Sequence, residues 1–239
     1  MVSDMCARFT LTAKPSLITE LFDLDLLLDV QRRYNIAPTQ EILTVRHSPE
    51  GPHEFAKLRW GLIPSWANDI SIGQKLLNAR SETIGEKPSF RDAFRKRRCL
   101  IVADGFYEWK TENKKKLPYW IHFADRKPFA FAGLWENWDS PDGKKIESCT
   151  IITTSANAFL KPLHDRMPVI LPKEHYARWL DQGIDQVKEL QNLFEPLPDE
   201  ALRMFAVSPQ VNGPRFDDPS CIEPLEEVPR AKPAMLWEE

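Results

Sequence analysis

Paired cysteines are missing from this chain. Its four cysteines (Cys6, Cys99, Cys149, Cys221) are widely scattered, with no C-x-x-C pair and no Cys/His cluster at zinc spacing. That excludes a disulfide framework or a zinc ribbon and suits isolated thiols in a reducing cytosol. Long hydrophobic runs are missing too. No apolar stretch of about 18 residues occurs, and the N-terminus has no apolar signal-peptide core. The expectation is a soluble, cytoplasmic protein. Gly-rich phosphate loops, G-x-S-x-G, H-E-x-x-H and EF-hand patterns are all absent, so neither a metal nor a nucleotide cofactor is expected. Positive charge is not in excess: the formal net charge is -3, and nucleic-acid binding would need a local basic stripe. Glycine is scarce, 9 residues against 20 prolines, which points to fixed loops rather than flexible linkers.

The 239 residues are enough for one large domain, and 42% hydrophobic with 28% charged residues is ordinary for a globular chain. The 8 Trp are many, and Trp is favoured in cores, at interfaces and on base-stacking surfaces. Apolar spacing and turn signals predict a strand at 9–12 and a helix from Lys14-Pro15-Ser16 to about residue 29. A loop is expected at 34–40, a strand at 41–46, and a strand at 57–66 that runs into a Pro-fixed loop presenting Trp66. A helix is expected at 89–98, capped by Ser89, with Arg91, Arg95 and Arg98 on one face. That face is either solvated or turned to phosphate. Strands at 99–109, 117–123, 128–135 and 148–154 follow, with a basic hairpin tip at 110–116 and an Asp-Gly turn at 142–143. A short helix at 155–157, a strand within 163–171, helices at 173–180 and 184–194 and a last strand at 203–207 complete the reading. No internal repeat or linker occurs. The pattern fits a single α+β domain with a mostly antiparallel β core, barrel-like or two packed sheets, and peripheral helices.

Several residues carry chemistry that their local context leaves open. Cys6 follows Met5 directly and is either a small packed hydrophobe or a nucleophile. As a first residue it would hold an α-amine and a thiol on adjacent carbons, a pair that condenses with aldehydes. Arg8, two residues on, points to the same side of a strand as Cys6. Glu108 lies in Phe106-Tyr107-Glu108-Trp109, either as an exposed strand-end carboxylate or as a desolvated proton shuttle. His164 in Leu163-His164-Asp165-Arg166-Met167-Pro168 is either a backbone-bonded structural histidine or a general acid/base. Asn78 and Arg80 share one face of an extended segment, and suit either a turn or the clamping of a sugar and a phosphate. Trp66 is either core or a base-stacking ring.

Taken together the segments resemble the SOS response-associated peptidase (SRAP) family, whose members crosslink to abasic sites in single-stranded DNA. The matching pieces, in order, are Cys6-Ala7-Arg8-Phe9, Asn35-Ile36-Ala37-Pro38-Thr39, Arg59-Trp60-Gly61-Leu62-Ile63-Pro64-Ser65-Trp66, and Asn78-Ala79-Arg80-Ser81-Glu82-Thr83. Arg97-Arg98-Cys99-Leu100-Ile101-Val102, Gly105-Phe106-Tyr107-Glu108-Trp109, Ala132-Gly133-Leu134-Trp135, Thr153-Thr154-Ser155-Ala156-Asn157 and His164-Asp165-Arg166-Met167-Pro168 follow. They span residues 5–225, with 1–4 a leader or a misassigned start and 226–239 a surface tail. The resemblance implies catalytic roles for Cys6, Asn78, Glu108 and His164, and DNA-binding roles for Arg8, Asn35, Pro38, Trp66 and Arg80. It implies a thiazolidine crosslink through an N-terminal Cys6, lyase-like cleavage through the imine, and self-removal of the preceding segment. No cofactor or metal is implied, and the partner is single-stranded DNA bearing abasic sites, bound by a monomer. Val2-Ser3-Asp4 ahead of Met5 depart from the family pattern; translation from Met5 or removal of the leader would restore it. The alternative is a cysteine hydrolase acting on peptides, with Cys6 as nucleophile and His164 as base.

Overall fold

The computed structural model describes residues 7–25, 29–48, 51, 53–112 and 115–225. The chain opens with β1 (Phe9–Leu11), α1 (Pro15–Phe22), β2 (Arg33–Ile36), β3 (Glu41–Arg46), β4 (Glu54–Trp60) and β5 (Asn78–Arg80). After α2 (Arg91–Lys96) come β6 (Arg98–Ala103), β7 (Gly105–Glu112), β8 (Lys115–Phe123), β9 (Phe129–Asp139) and β10 (Lys145–Ser155). Short elements finish it: β11 (Arg166–Pro168), β12 (Ile170–Leu171), α3 (Tyr176–Leu180), α4 (Val187–Leu190) and β13 (Leu202–Ala206).

Five strands form a ring. Each of β10, β4, β3, β6 and β9 bonds to the next, and β9 pairs back onto β10. Closing the ring removes the free edges that an open sheet would leave. β5, β11 and β12 attach to it, and the β4–β10 and β5–β10 pairings are parallel. A second, antiparallel sheet runs β13-β8-β7-β1-β2. It packs on the barrel through aromatic edges: Phe9 meets Trp60 at 5.2 Å and Phe131 at 5.9 Å, and Phe106 meets Phe131 at 6.0 Å. Burying rings of this size removes about 150–250 Å² each from water, which fixes one sheet against the other. The α+β reading with a barrel-like antiparallel core and peripheral helices is the architecture observed.

Asp104 marks where the chain leaves the barrel for the second sheet. Its buried carboxylate accepts the backbone N–H groups of Thr12 (2.5 Å) and Ala13 (2.7 Å) and the hydroxyls of Thr10 (2.6 Å) and Thr12 (2.7 Å). Gly105 follows because a Cβ there would stand 2.3 Å from the Trp120 indole nitrogen.

Four expectations change. The first helix stops at Phe22, where Asp23 adopts a left-handed φ of 53°. Residues 33–36 form a strand, because β1 pairs with them and Asp217 accepts the N–H groups of Tyr34 and Asn35. The 89–98 helix contracts to Arg91–Lys96 with Phe90, not Ser89, at its N-cap. Arg98 instead opens β6. Its guanidinium is buried against Phe94 and Trp179 and donates to the carbonyls of Phe94, Trp179 and Asp181. The three-arginine face therefore does not exist. Residues 158–163 make hydrogen-bonded turns instead of continuing a helix begun at 155–157. Residues 1–4 and 226–239 lie outside the described residues.

Candidate active site

Two strands of the second sheet bring the N-terminal segment and Glu108 together. The Tyr107 N–H donates to Arg8 O at 3.0 Å, and Phe9 faces Phe106. Projecting that antiparallel register two residues back from Phe9 and Phe106 carries the chain at Ala7 toward Glu108. Alternation along β7 points Phe106 and Glu108 toward the barrel, and Tyr107 and Trp109 the other way, into a small cluster with Trp120, Val211 and Cys221. Glu108 is 4% exposed, which is the desolvated setting rather than the exposed strand end. Cys6 lies outside the described residues.

Arg8 and Asn35 are bonded to each other. Arg8 Nη1 donates to Asn35 Oδ1 (3.0 Å) and Val211 O (2.7 Å), and Nη2 to Asn212 O (3.2 Å). Burial lowers the Arg8 pKa, with Tyr107 and Cys221 acting in the opposite sense. Asn35 is fully buried, and its amide donates to the carbonyls of Val211 (3.1 Å), Gly213 (3.1 Å) and Phe216 (2.6 Å).

Barrel strands supply the remaining groups. β5 runs parallel to β10, with Asn78 opposite Ile151 and Arg80 opposite Thr153. Ala79 is buried between them, so Asn78 and Arg80 share the outward face, and Arg80 is exposed. On the other side of β10, Arg166 pairs with Ser155. Its guanidinium reaches across β10 to both carboxylate oxygens of Glu82 and to Thr153 O at 2.8 Å. The β5 end and the His164 loop are thereby tied together.

His164 is held by the same residue. The Arg166 N–H donates to its Nδ1 at 3.0 Å, while Asp165 Oδ1 stands 2.9 Å from the same nitrogen. Only one of these is a bond at a time. Burial pushes the His164 pKa down, Asp165 raises it, and Arg166 and Lys116 lower it further. A neutral ring accepts from Arg166 and keeps its proton on Nε2.

Pro38 and Trp66 sit on two stitched turns. Thr39, with φ 70°, closes a turn in which the Gln40 N–H donates to Ala37 O at 3.4 Å, and Pro38 takes the position where a fixed φ is favoured. The Thr39 N–H donates to Trp60 O at 2.9 Å. Gly61 then adopts φ 119°, a backbone open to glycine, and starts the loop to Trp66. The Trp138 indole donates to Ala67 O at 2.6 Å and pins that loop, leaving Trp66 56% exposed. It is a surface ring, not core.

Sequence reasoning missed Arg166 with Glu82, the Lys116 ammonium, and the 207–222 segment that receives Arg8, Asn35 and Trp109. Arg166 was visible inside a quoted motif, whereas nothing in the sequence connects 207–222 to Arg8. Among the described residues, no group of three or more His, Cys, Asp or Glu side chains is placed to hold a metal ion.

The sequence model of the SOS response associated peptidase (SRAP) family matches residues 5–214. "Abasic site processing protein YoqW" of Bacillus subtilis (strain 168) is 44% identical over 223 residues, 92% of this chain and 99% of that protein. "Abasic site processing protein HMCES" of Xenopus tropicalis is 32% identical over 235 residues, 86% of this chain and 70% of that protein. A crystal structure of a Bacteroides thetaiotaomicron protein superposes with a TM-score of 0.82 at 27% identity, covering 92% of this chain and all of that one. With the family match running through the segments that carry Arg8, Asn78, Glu108 and His164, this chain belongs to the SOS response associated peptidase family.

Proposed function

We propose that this protein captures abasic sites in single-stranded DNA by forming a thiazolidine through Cys6, presented as the first residue once the preceding segment is absent. The α-amine attacks the ring-opened sugar aldehyde, and the carbinolamine loses water to give an imine. The thiolate then adds to the imine carbon and returns the nitrogen to an amine. One water leaves, and no oxidant or reductant takes part. Glu108 moves the protons of ring opening and dehydration, and His164, once protonated with its Nδ1–H turned to Asp165, gives the Nε2 proton and as the neutral ring takes it back on reversal. Asn78 orients the sugar. Arg80 and Arg8 face the flanking phosphates, and Trp66 with the Pro38 turn shapes the strand. Asn35 contributes by fixing Arg8 rather than by touching DNA. Imine-stage lyase cleavage follows from the same amine, whereas self-removal of the leader uses the thiol alone: Cys6 Sγ attacks the Met5 carbonyl, the Met5–Cys6 amide shifts to a thioester that frees the amine, and water hydrolyses the thioester to release residues 1–5.

The observation that supports this reading is the pairing of β1 with β7, in which the N–H of Tyr107, next to the buried Glu108, donates to the carbonyl of Arg8, two residues after Cys6. Held there, an aminothiol and an aldehyde react at high effective molarity, so positioning and proton transfer suffice. The relatives' names, abasic site processing proteins, support the same substrate. The test is incubation of protein beginning at Cys6 with single-stranded DNA carrying one abasic site. A heat-stable protein–DNA band is expected, lost in Cys6→Ala and, in protein made with residues 1–5, carried only by the fraction whose intact mass shows that segment removed. No band from the Cys6-first protein, with peptide cleavage in its place, would overturn it.

A further inference from the structure

The segment at 207–222 grips both arms of the site, and one residue grips them together. Asn212 receives Arg8 Nη2 on its backbone carbonyl (3.2 Å) and the Trp109 indole N–H on its side-chain Oδ1 (2.7 Å). Arg8 lies two residues after Cys6, and Trp109 is the residue after Glu108. Around this point the segment is locked from several sides. Val211 O takes both Arg8 and Asn35, and Cys221 O takes the Tyr107 hydroxyl at 3.2 Å. Asp217 binds Arg33 and the Tyr34 and Asn35 N–H groups. Val211 and Cys221 are buried against Tyr107 and Trp120 in a small core of their own. The Asn212 side chain is exposed, so it contributes no core packing; what it does is fix the rotation of the half-buried Trp109 ring.

We infer that Asn212 is a positioning residue, which sets β7 through Trp109 and the start of β1 through Arg8. In an alternating strand a fixed Trp109 also fixes the opposite-facing Glu108. The half-buried indole is held in one orientation before a strand arrives, so less side-chain freedom is lost on binding or reaction. The inference rests on the proposed reaction only for its rate readout.

The test uses Asn212→Leu, which removes the acceptor, and Asn212→Gln, which keeps an amide oxygen. The backbone carbonyl that holds Arg8 survives in both, and an unchanged melting temperature confirms folding. In N212L the Trp109 indole N–H loses its protection from solvent exchange in nitrogen-15 NMR. Crosslinking at saturating abasic DNA slows about fivefold, the size expected for one side chain released from a fixed rotamer. N212Q stays within about twofold on both readouts. N212L with the indole still protected overturns the inference, as does lost protection with an unchanged rate. Should the parent protein form no crosslink at all, the proposed reaction falls. The inference is then decided by non-covalent affinity for single-stranded DNA, which N212L lowers and N212Q retains; equal affinity in all three proteins overturns it.

Discussion

Asn35→Leu separates two roles that the sequence alone leaves mixed. The side chain is fully buried, and its amide serves three carbonyls while its oxygen serves Arg8. Leucine keeps the volume and removes all four contacts. A buried polar group left without a partner costs about 1–3 kcal/mol, and the net worth of a made bond is about 1 kcal/mol. Gly213 is exposed, so water reaches its carbonyl; Val211 is buried, so its carbonyl depends on Arg8 alone. The sum lies near 3–4 kcal/mol rather than at the upper bound. For a domain of this size that lowers the melting temperature by about 10 °C. Urea unfolding at pH 7 reads the loss directly as a lower midpoint at constant slope. Arg8→Ala in the same background gives a double-mutant cycle, with a coupling of about 1 kcal/mol expected from the shared bond and the shared Val211 carbonyl. A loss below about 1 kcal/mol with weakened DNA binding would show that Asn35 is a DNA contact and refute the positioning argument.

Under the proposed reaction, Glu108→Gln keeps the shape of the site but cannot shuttle protons. Crosslinking at saturating DNA then falls by about a hundredfold while non-covalent affinity holds within twofold; an equal loss in affinity would contradict a proton-transfer role. Arg80→Ala removes one outward cation, and the slope of log affinity against log salt shrinks by about 0.7, as one single-strand phosphate contact requires. An unchanged slope would place Arg80 off the DNA path. Stability falls in acid: burial lowers the pKa of His53, His122 and His164 below the ordinary 6.5. Below about 6.5 the unfolded chain binds protons that the folded chain refuses, so stability is full above that pH and is lost as pH falls toward the folded values. Urea midpoints from pH 7.5 to 5 should drop, and His122→Phe should flatten the curve; a flat curve for the parent protein would sink the assignment.

Local pattern carried much of the fold. The strands around 41–46, 117–123 and 203–207 follow from alternation and turn residues, and the structure has them within a few positions. β2 did not follow, because its stability comes from afar: Leu11 pairs with Arg33, and Asp217 binds its N–H groups across more than 180 positions. Barrel closure was equally hidden, since β9 meeting β10 on one side and β6 on the other is a property of the whole ring. Arg98 shows the limit of helical spacing. The i, i+4, i+7 arginines looked like one face, yet Arg98 lies in a strand under Trp179, whose indole donates to Cys99 O at 2.8 Å. Among the candidate site residues, the ordered motifs gave identities but not exposure. Asn35 and Trp66 read alike from sequence; one is enclosed and the other open.

The two halves of the proposed site are carried by different sheets, and this constrains any account of its chemistry. Arg8 and Glu108 ride on the second sheet, while Asn78, Arg80 and His164 ride on the barrel. Their relative placement is therefore set by the Phe9, Phe106, Trp60 and Phe131 edges between the sheets, and by the 207–222 segment that holds β1, β2 and β7 from outside. Each half is also braced internally, by Asn35 beneath Arg8 and by Arg166 across to Glu82. Such bracing suits a reaction whose demand is geometry. Under the proposed reaction an amine, a thiol and an aldehyde need a fixed approach and one group to pass protons rather than a strong catalyst, which is what rigidity at the seam would supply.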